Sequence, residues 1–224
     1  TGQEMIVWAG LDQDNYLNSG GRYDPQKDQW VLVSQQQVPS ARGGHTAIWT
    51  GQEMIVWGGQ NKNGQILNGA KYKLERDQWV GVLTNLVEVG RFLHTAVWTG
   101  SEMIIWGGTT AEKPLNTGGR YSPSSNQWQL TSQDQAPSPR FGHTAVWAGS
   151  EMIIWGGYET SGKLAEGGRI YNPTKDAWSH LPTDQKPEGK ILNSLVWTGN
   201  QIIIWGGSDG QTLLNSGWTF KTGE

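Results

Sequence analysis

The segment that decides the fold of this chain is HTAIWTGQEMIVWGG, residues 45–59. It recurs with few changes at residues 94–108 and 143–157, and a more divergent copy, NSLVWTGNQIIIWGG, occupies residues 193–207. The chain also begins inside a fifth copy, at residues 1–10. The second tryptophan of each copy marks the period: Trp8, Trp57, Trp106, Trp155 and Trp205. Successive steps of 49, 49, 49 and 50 residues predict stacked supersecondary units.

Each repeat predicts four short strands, which we label A to D. Residues 45–50 and 54–57 are short apolar runs that predict buried strands A and B, joined by a tight turn at Gly51. Strand C surrounds a tyrosine and strand D a tryptophan. The tyrosine and tryptophan are seven residues apart in four copies: Tyr23/Trp30, Tyr72/Trp79, Tyr121/Trp128 and Tyr171/Trp178. Asp24-Pro25 and its equivalents between C and D are typical of type I turns.

Four antiparallel strands repeated about five times favour a radial β-propeller. An apolar run, a double glycine, and Tyr and Trp at fixed spacing resemble the kelch repeat over nearly the whole chain. The resemblance implies an all-β propeller of five kelch-like blades, with strand A innermost and strand D outermost. Residues 1–224 then form one domain, with repeats at approximately 1–41, 42–90, 91–139, 140–189 and 190–224. The extra residue of the fourth repeat, Ile170, predicts a bulge in its strand C.

The terminal blades are expected to be incomplete. Strand A of the first repeat and strand D of the last fall outside the sequence, so eighteen strands are expected. The chain could be part of a larger propeller, a five-bladed ring with two three-stranded blades, or a ring whose missing edges come from another chain. Because uncovered strand edges promote pairing between chains, self-association through unpaired terminal strands is a further expectation.

Composition excludes several classes of function. A net charge of −3 and a pI near 5.8, without a basic tract, argue against nucleic acid or an anionic membrane as the main partner. No apolar run approaches the length of a membrane span. The absence of cysteine excludes disulfides, thiolate metal sites and a cysteine nucleophile. We expect no cofactor. Because the sequence begins with Thr1 and not with Met, we expect a processed or trimmed chain. We also expect an extracellular or cell-envelope location.

The B–C and D–A connections share one face of a propeller and vary between copies, so this loop face is the expected recognition surface. A cation ends each D–A loop, and a histidine or asparagine follows three residues later: Arg42/His45, Arg91/His94, Arg140/His143 and Lys190/Asn193. These side chains could form a cationic rim for an acidic peptide or anionic sugar, or they could satisfy loop carbonyls and hold strand A. Histidines one blade apart are too distant to share a metal ion.

Three aromatic residues depart from the repeat pattern and are additional candidate contacts: Tyr16, Tyr158 and Trp218. Trp218 could instead cap the last blade. The other thirteen tryptophans occupy framework positions and are expected to pack between blades.

The predicted function is a non-catalytic module that presents the loop face to a protein or peptide. A carbohydrate-binding propeller is the alternative. A second alternative is a kelch-type enzyme such as a sugar isomerase, which could use Arg91 and His94. The copper-dependent galactose oxidation known among kelch-like proteins needs a Tyr–Cys cross-link, for which this chain has no cysteine. Fold alone does not supply an activity.

Overall fold

The computed structural model describes residues 1–84, 86–87, 89–181 and 189–221. These residues form five antiparallel blade sheets that follow one another along the chain, and two small two-stranded sheets in the connections. The three central sheets have four strands each, and the first and last have three strands within the described residues. Neighbouring strands A contact one another from the second blade to the fifth, so strand A is the innermost strand. This architecture confirms the kelch-like β-propeller that the repeats predict.

The strands of the first two blades are β1 (Met5–Asp12), β2 (Asn15–Asp24), β3 (Gln29–Leu32), β4 (Thr46–Trp49), β5 (Glu53–Trp57), β6 (Gln60–Asn61), β7 (Gly64–Gln65), β8 (Gly69–Lys73) and β9 (Gln78–Val82). A 3-10 turn at Leu74–Arg76 replaces the Asp-Pro turn between β8 and β9. The strands of the third and fourth blades are β10 (Thr95–Trp98), β11 (Met103–Trp106), β12 (Gly118–Ser122), β13 (Gln127–Leu130), β14 (Arg140–Phe141), β15 (Thr144–Trp147), β16 (Met152–Trp155), β17 (Tyr158–Glu159), β18 (Gly168–Asn172) and β19 (Ala177–His180). The fifth blade has β20 (Ser194–Trp197), β21 (Gln201–Trp205) and β22 (Gly217–Lys221).

The predicted bulge at Ile170 is wrong. Strands β16 and β18 pair without interruption, and Ile170 lies opposite Ile153 in regular register. The extra residue of this repeat is accommodated in the B–C connection, where thirteen residue steps separate Trp155 from Gly168 instead of the twelve between Trp106 and Gly118. A register shift occurs instead in the first blade, between Trp8 and Gly10.

The tryptophan of strand B packs against an aromatic ring of the next blade. The centroids of Trp8 and Trp79 are 5.0 Å apart, those of Trp57 and Trp128 are 5.5 Å apart, and those of Trp106 and Trp178 are 5.3 Å apart. At the last junction Trp155 meets Phe220 of strand C, at 6.0 Å. Tilted and edge-on contacts between aromatic rings therefore hold successive blades together.

The strand D indoles also make hydrogen bonds between blades. Trp79, Trp128 and Trp178 each donate their indole N–H to a backbone carbonyl of the preceding blade, on Ser34, Leu83 and Ser132 respectively. Not every framework tryptophan is buried as expected, because Trp30 in the first blade and Trp205 in the fifth are both 56% exposed. Among the described residues, neither of these two rings makes an aromatic contact with another blade, and Trp30 makes its aromatic contact with Tyr23 of its own blade.

A glycine must lie opposite the strand B tryptophan. Trp106 pairs with Gly118, and a Cβ atom on Gly118 would lie 2.4 Å from the carbonyl oxygen of Ile105 and 2.8 Å from the indole Cδ1 atom. The other blades repeat this close approach at the equivalent glycines, which are Gly20, Gly69, Gly168 and Gly217. The absence of a Cβ atom at the glycine therefore allows the indole to pack directly against the backbone of strand C.

We expect Gly118→Ala to lower the free energy of unfolding by about 3 kcal/mol, because the added methyl group must displace backbone as well as the indole. Gly81→Ala is the matched control, since a Cβ atom there meets nothing within 4 Å and the backbone is outside the left-handed region. Its effect should be within about 0.5 kcal/mol. Urea unfolding measures both, and equal costs would contradict the close approach.

Candidate functional site

Each D–A loop ends in a buried cation whose donors are used inside its own blade. Arg42 Nη1 donates to the carbonyl of Gly58 at 3.0 Å and to that of Asn68 at 2.9 Å. Arg91 and Arg140 make the equivalent bond from Nη1 to the first glycine of their own Gly-Gly pair, at 3.0 and 3.2 Å. The guanidinium therefore ties the D–A loop to the end of strand B. Burial lowers the pKa of all three arginines to about 10, so they remain charged at neutral pH.

Lys190 holds the same position in the fifth blade with a different set of contacts. Its ammonium donates to the carbonyl of Ser216 at 3.4 Å and lies 4.0 Å from the centroid of the Trp218 ring. A cation over an indole face replaces part of the hydrogen bonding that a guanidinium provides in the other blades. Trp218 is half-buried against this lysine and covers it.

The histidines connect neighbouring blades. His94 Nε2 lies 2.9 Å from Thr46 Oγ1, and His143 Nε2 lies 2.8 Å from Thr95 Oγ1. In the divergent copy, Asn193 Nδ2 donates to Thr144 Oγ1 at 3.1 Å. His94 and His143 also meet the strand B indole of the preceding blade edge-on. The substitution of asparagine for histidine therefore preserves a hydrogen bond between two inner strands.

These placements favour the structural alternative for the cationic and histidine positions. Arg42, Arg91, Arg140, Lys190, His94, His143 and Asn193 are buried, and His45 is half-buried. Their donors face carbonyls and hydroxyls of the blades, so these side chains do not form an exposed cationic rim. Arg91 and His94, the pair considered for an isomerase, are both inside the protein. Among the described residues, no group of three or more His, Asp or Glu side chains is placed to hold a metal ion. The same residues contain no helix that is long and apolar enough to span a membrane.

The two off-pattern tyrosines brace the loops of the same face. Tyr16 covers Gly43, where a Cβ atom would come within 3.2 Å of its ring. Tyr158 lies against Phe141, with ring centroids 5.7 Å apart. Both tyrosines are half-buried between a B–C loop and a D–A loop. Part of the second D–A loop, at residues 85 and 88, and most of the fourth, at residues 182–188, lie outside the described residues.

Two leucines on the loop face were missed by the sequence reasoning. Leu93 and Leu192 lie two residues before strand A and adopt left-handed backbone conformations, with φ of 53° and 55°. The equivalent residues in the second and fourth blades are Gly44 and Gly142, which have φ of 64°. Leu93 is 43% exposed and Leu192 is 81% exposed. Comparison of the copies at this one position would have found them, because the residue alternates between glycine and leucine.

Backbone hydrogen bonds hold Leu93 between the loops of the neighbouring blades. Leu93 N–H donates to the carbonyl of Gly44, and Gly142 N–H donates to the carbonyl of Leu93, both at 3.1 Å. The loops of three successive blades are thus joined, and this pairing fixes the left-handed conformation. A leucine held there is less stable than a glycine by about 1–2 kcal/mol. Surrounding structure that maintains such strain is characteristic of functional positions.

A cleft of about 630 Å³ opens on the same face, between loops of the second, third and fourth blades. Its lining includes Gln65, Val89, Lys113, Pro114, Pro139 and Thr160. The loop face also carries several exposed aliphatic side chains: Leu11, Leu86, Val89, Leu93, Leu192 and Leu213. The face therefore offers apolar contact area around a cleft, with the scaffold cations turned inward.

Acid should destabilise the fold through the buried histidines. Burial lowers the pKa of His143 to about 3, whereas an unfolded histidine titrates near 6.5. The unfolded chain therefore binds more protons at this site between pH 6 and 4, and stability falls there by up to about 1.4 kcal/mol per pH unit. His143→Asn copies the arrangement of Asn193 and should remove the part of the slope that His143 contributes, while His45 and His94, whose pKa values burial also lowers, keep theirs. Urea unfolding at pH 7, 6, 5 and 4 measures it, and an unchanged slope in the variant would refute a buried neutral imidazole.

A comparison with protein families gives one match. The model of the KLHDC2/KLHL20/DRC7 Kelch-repeats domain matches residues 93–224, which is more than half of the chain. No curated protein matches the chain. The matched region contains the third, fourth and fifth blades. It includes the Gly-Gly pairs that end strand B and the Tyr/Trp pairs of the third and fourth blades. The chain belongs to the kelch-repeat family.

Proposed function

We propose that this kelch domain binds a protein partner on its loop face, through apolar contacts at the channel mouth and in the adjacent cleft. Kelch domains are in general protein-interaction modules. The observation that carries the proposal is the pair Leu93 and Leu192, which are exposed and conformationally strained where other blades have glycine. A side chain that costs stability and points to solvent is explained if it contacts a partner.

The chemistry of this face favours an apolar or neutral segment over an acidic one. The arginines that suggested an acidic ligand are buried and bonded to backbone carbonyls. The ionisable side chains of the B–C connections are mostly acidic: Asp12, Asp14, Glu112, Glu159, Glu166 and Asp209, against Lys62, Lys113 and Lys163. Since like charges repel at an interface, an acidic peptide would gain little here. The partner segment should instead present aliphatic or aromatic side chains to the leucines and the cleft.

The carbohydrate alternative has less support from the geometry. A sugar needs an exposed aromatic face, and the three rings considered for this role are half-buried against protein: Tyr16 on Gly43, Tyr158 on Phe141 and Trp218 on Lys190. The protein-binding proposal uses side chains that are free to make contact.

Leu192→Gly should raise the free energy of unfolding by about 0.5–1 kcal/mol, because glycine adopts the left-handed conformation without strain and little buried area is lost. Leu192→Ala is the control, since it removes the same side chain but keeps the strained backbone, and it should give no gain. Thermal and urea unfolding of both variants measure the difference. A loss of stability in Leu192→Gly would show that the leucine is held there by packing.

The double variant Leu93→Gly/Leu192→Gly should lose partner binding while remaining folded. The probe is a random peptide display library selected on the unchanged chain and then titrated against each variant. Selected peptides should be rich in apolar residues and should bind the double variant at least about tenfold more weakly. Binding to Leu130→Ala, which changes an exposed leucine on the outer strand D, should be unaffected. Peptides that bind the double variant as well as the unchanged chain would overturn the proposal.

A further inference from the structure

The dipeptide Asn-Gly occurs twice in the chain, and the fold holds the two copies differently. Asn63-Gly64 lies within the B–C connection of the second blade, and Asn68-Gly69 lies at the end of the same connection. Asparagine before glycine is chemically labile, because glycine has no side chain to hinder attack of its backbone nitrogen on the asparagine amide. Whether either site reacts in the folded protein depends on its surroundings.

Asn63 lies at the tip of the hairpin formed by β6 and β7. Asn61 pairs with Gly64, so Lys62 and Asn63 form a two-residue turn. Asn63 is exposed, and its side-chain amide makes no hydrogen bond within the part of the chain that the structure describes. Gly64 has φ of 112°, and a Cβ atom on it would meet nothing within 4 Å. The turn therefore leaves both the space and the backbone freedom that ring closure needs.

Asn68 is also exposed, so exposure alone does not separate the two sites. Its side-chain oxygen accepts a hydrogen bond from Arg42 Nη2 at 2.8 Å. Its backbone carbonyl accepts from Arg42 Nη1 at 2.9 Å and from the N–H of Gly58 at 3.1 Å. Gly69 is buried and begins β8, which lies between two other strands of its blade. Rotation of the Asn68–Gly69 peptide toward the side chain would require the loss of these hydrogen bonds.

We propose that Asn63-Gly64 is a site of spontaneous modification in the folded protein, at which Asn63 converts through a cyclic succinimide to aspartate and isoaspartate. The hairpin tip permits the reaction, and the hydrogen bonds of Arg42 and Gly58 prevent it at Asn68.

The reaction needs water and no other co-reactant. The backbone nitrogen of Gly64 forms a bond to Cγ of Asn63, the bond from Cγ to Nδ2 breaks, and ammonia leaves with the proton that the Gly64 nitrogen loses. Water then opens the succinimide at one of its two carbonyl groups. Opening at Cγ gives aspartate in the original main chain, and opening at the backbone carbonyl gives isoaspartate, whose main chain runs through Cγ.

Both products change the loop face. Each adds one negative charge beside Lys62, and isoaspartate also lengthens the main chain of a two-residue turn, which disturbs the pairing of Asn61 with Gly64. Gln65 of the same hairpin lines the cleft of the loop face. An effect of the conversion on partner binding rests on the proposed function, whereas the conversion itself does not and is measured without a partner.

The test is to hold the folded chain at pH 8 and 37 °C and to follow both dipeptides by mass spectrometry of peptic peptides. Digestion at acid pH prevents conversion during the digestion itself. Asn63 should convert at least about tenfold faster than Asn68, because reaction at Asn68 requires local opening of its hydrogen bonds. A protein-isoaspartate methyltransferase, used as a probe, should label the peptide that contains residue 63.

The unfolded chain is the matched control. In guanidinium chloride the two sites should convert at similar rates, because each asparagine then precedes a glycine in a flexible chain. Asn63→Gln should abolish the labelling in the folded chain, since a glutamine would have to close a larger ring. The proposal is overturned if Asn63 keeps its amide in the folded chain while the unfolded chain loses it. It is also overturned if Asn68 converts as fast as Asn63 in the folded chain.

Discussion

The structure depends on the contact between the strand B indole of one blade and the aromatic ring of the next. This contact demands a glycine opposite the indole, because a Cβ atom on Gly118 would meet backbone at 2.4 Å. It also fixes the strand D tryptophan, whose indole N–H reaches a carbonyl of the preceding blade. The recurrence of Trp, Gly, Tyr and Trp in the first four copies follows from this one junction, and the fifth copy supplies Phe220 of strand C to it instead.

The repeated arginines and histidines, which the sequence suggests as a binding site, are a second structural feature that recurs along the chain. Arg42, Arg91 and Arg140 saturate the carbonyls at the Gly-Gly pairs, and the histidines join inner strands through threonine hydroxyls. These side chains are largely buried, and the hydrogen bonds of the guanidinium groups to backbone carbonyls help to offset the cost of burying their charge. Recognition is then left to positions at which the copies differ, and the alternation of glycine and leucine before strand A is the clearest such difference on the loop face.

The sequence was sufficient for the period, the strand order and the eighteen blade strands found among the described residues, because apolar runs, turn residues and the Tyr/Trp spacing are local signals. It was insufficient for Ile170, since an extra residue can be absorbed by a strand or a loop, and only the Trp155–Gly168 pairing shows that the loop takes it. The burial of Arg91 was likewise not predictable, because it depends on where the Gly107 carbonyl points. Exposure of Trp30 and Trp205 depends on neighbours that no local pattern identifies.

The central claim, that contacts between blades stabilise the fold more than contacts within a blade, can be tested at two equivalent tryptophans. Trp128 and Trp30 have the same strand position and the same tyrosine contact, at 5.1 and 5.2 Å, but only Trp128 is covered by a neighbouring indole. The measurement is the loss of unfolding free energy on substitution by alanine, at a concentration where the chain is monomeric. The account predicts a loss of about 3–5 kcal/mol for Trp128→Ala and below about 1 kcal/mol for Trp30→Ala. Equal losses would contradict it.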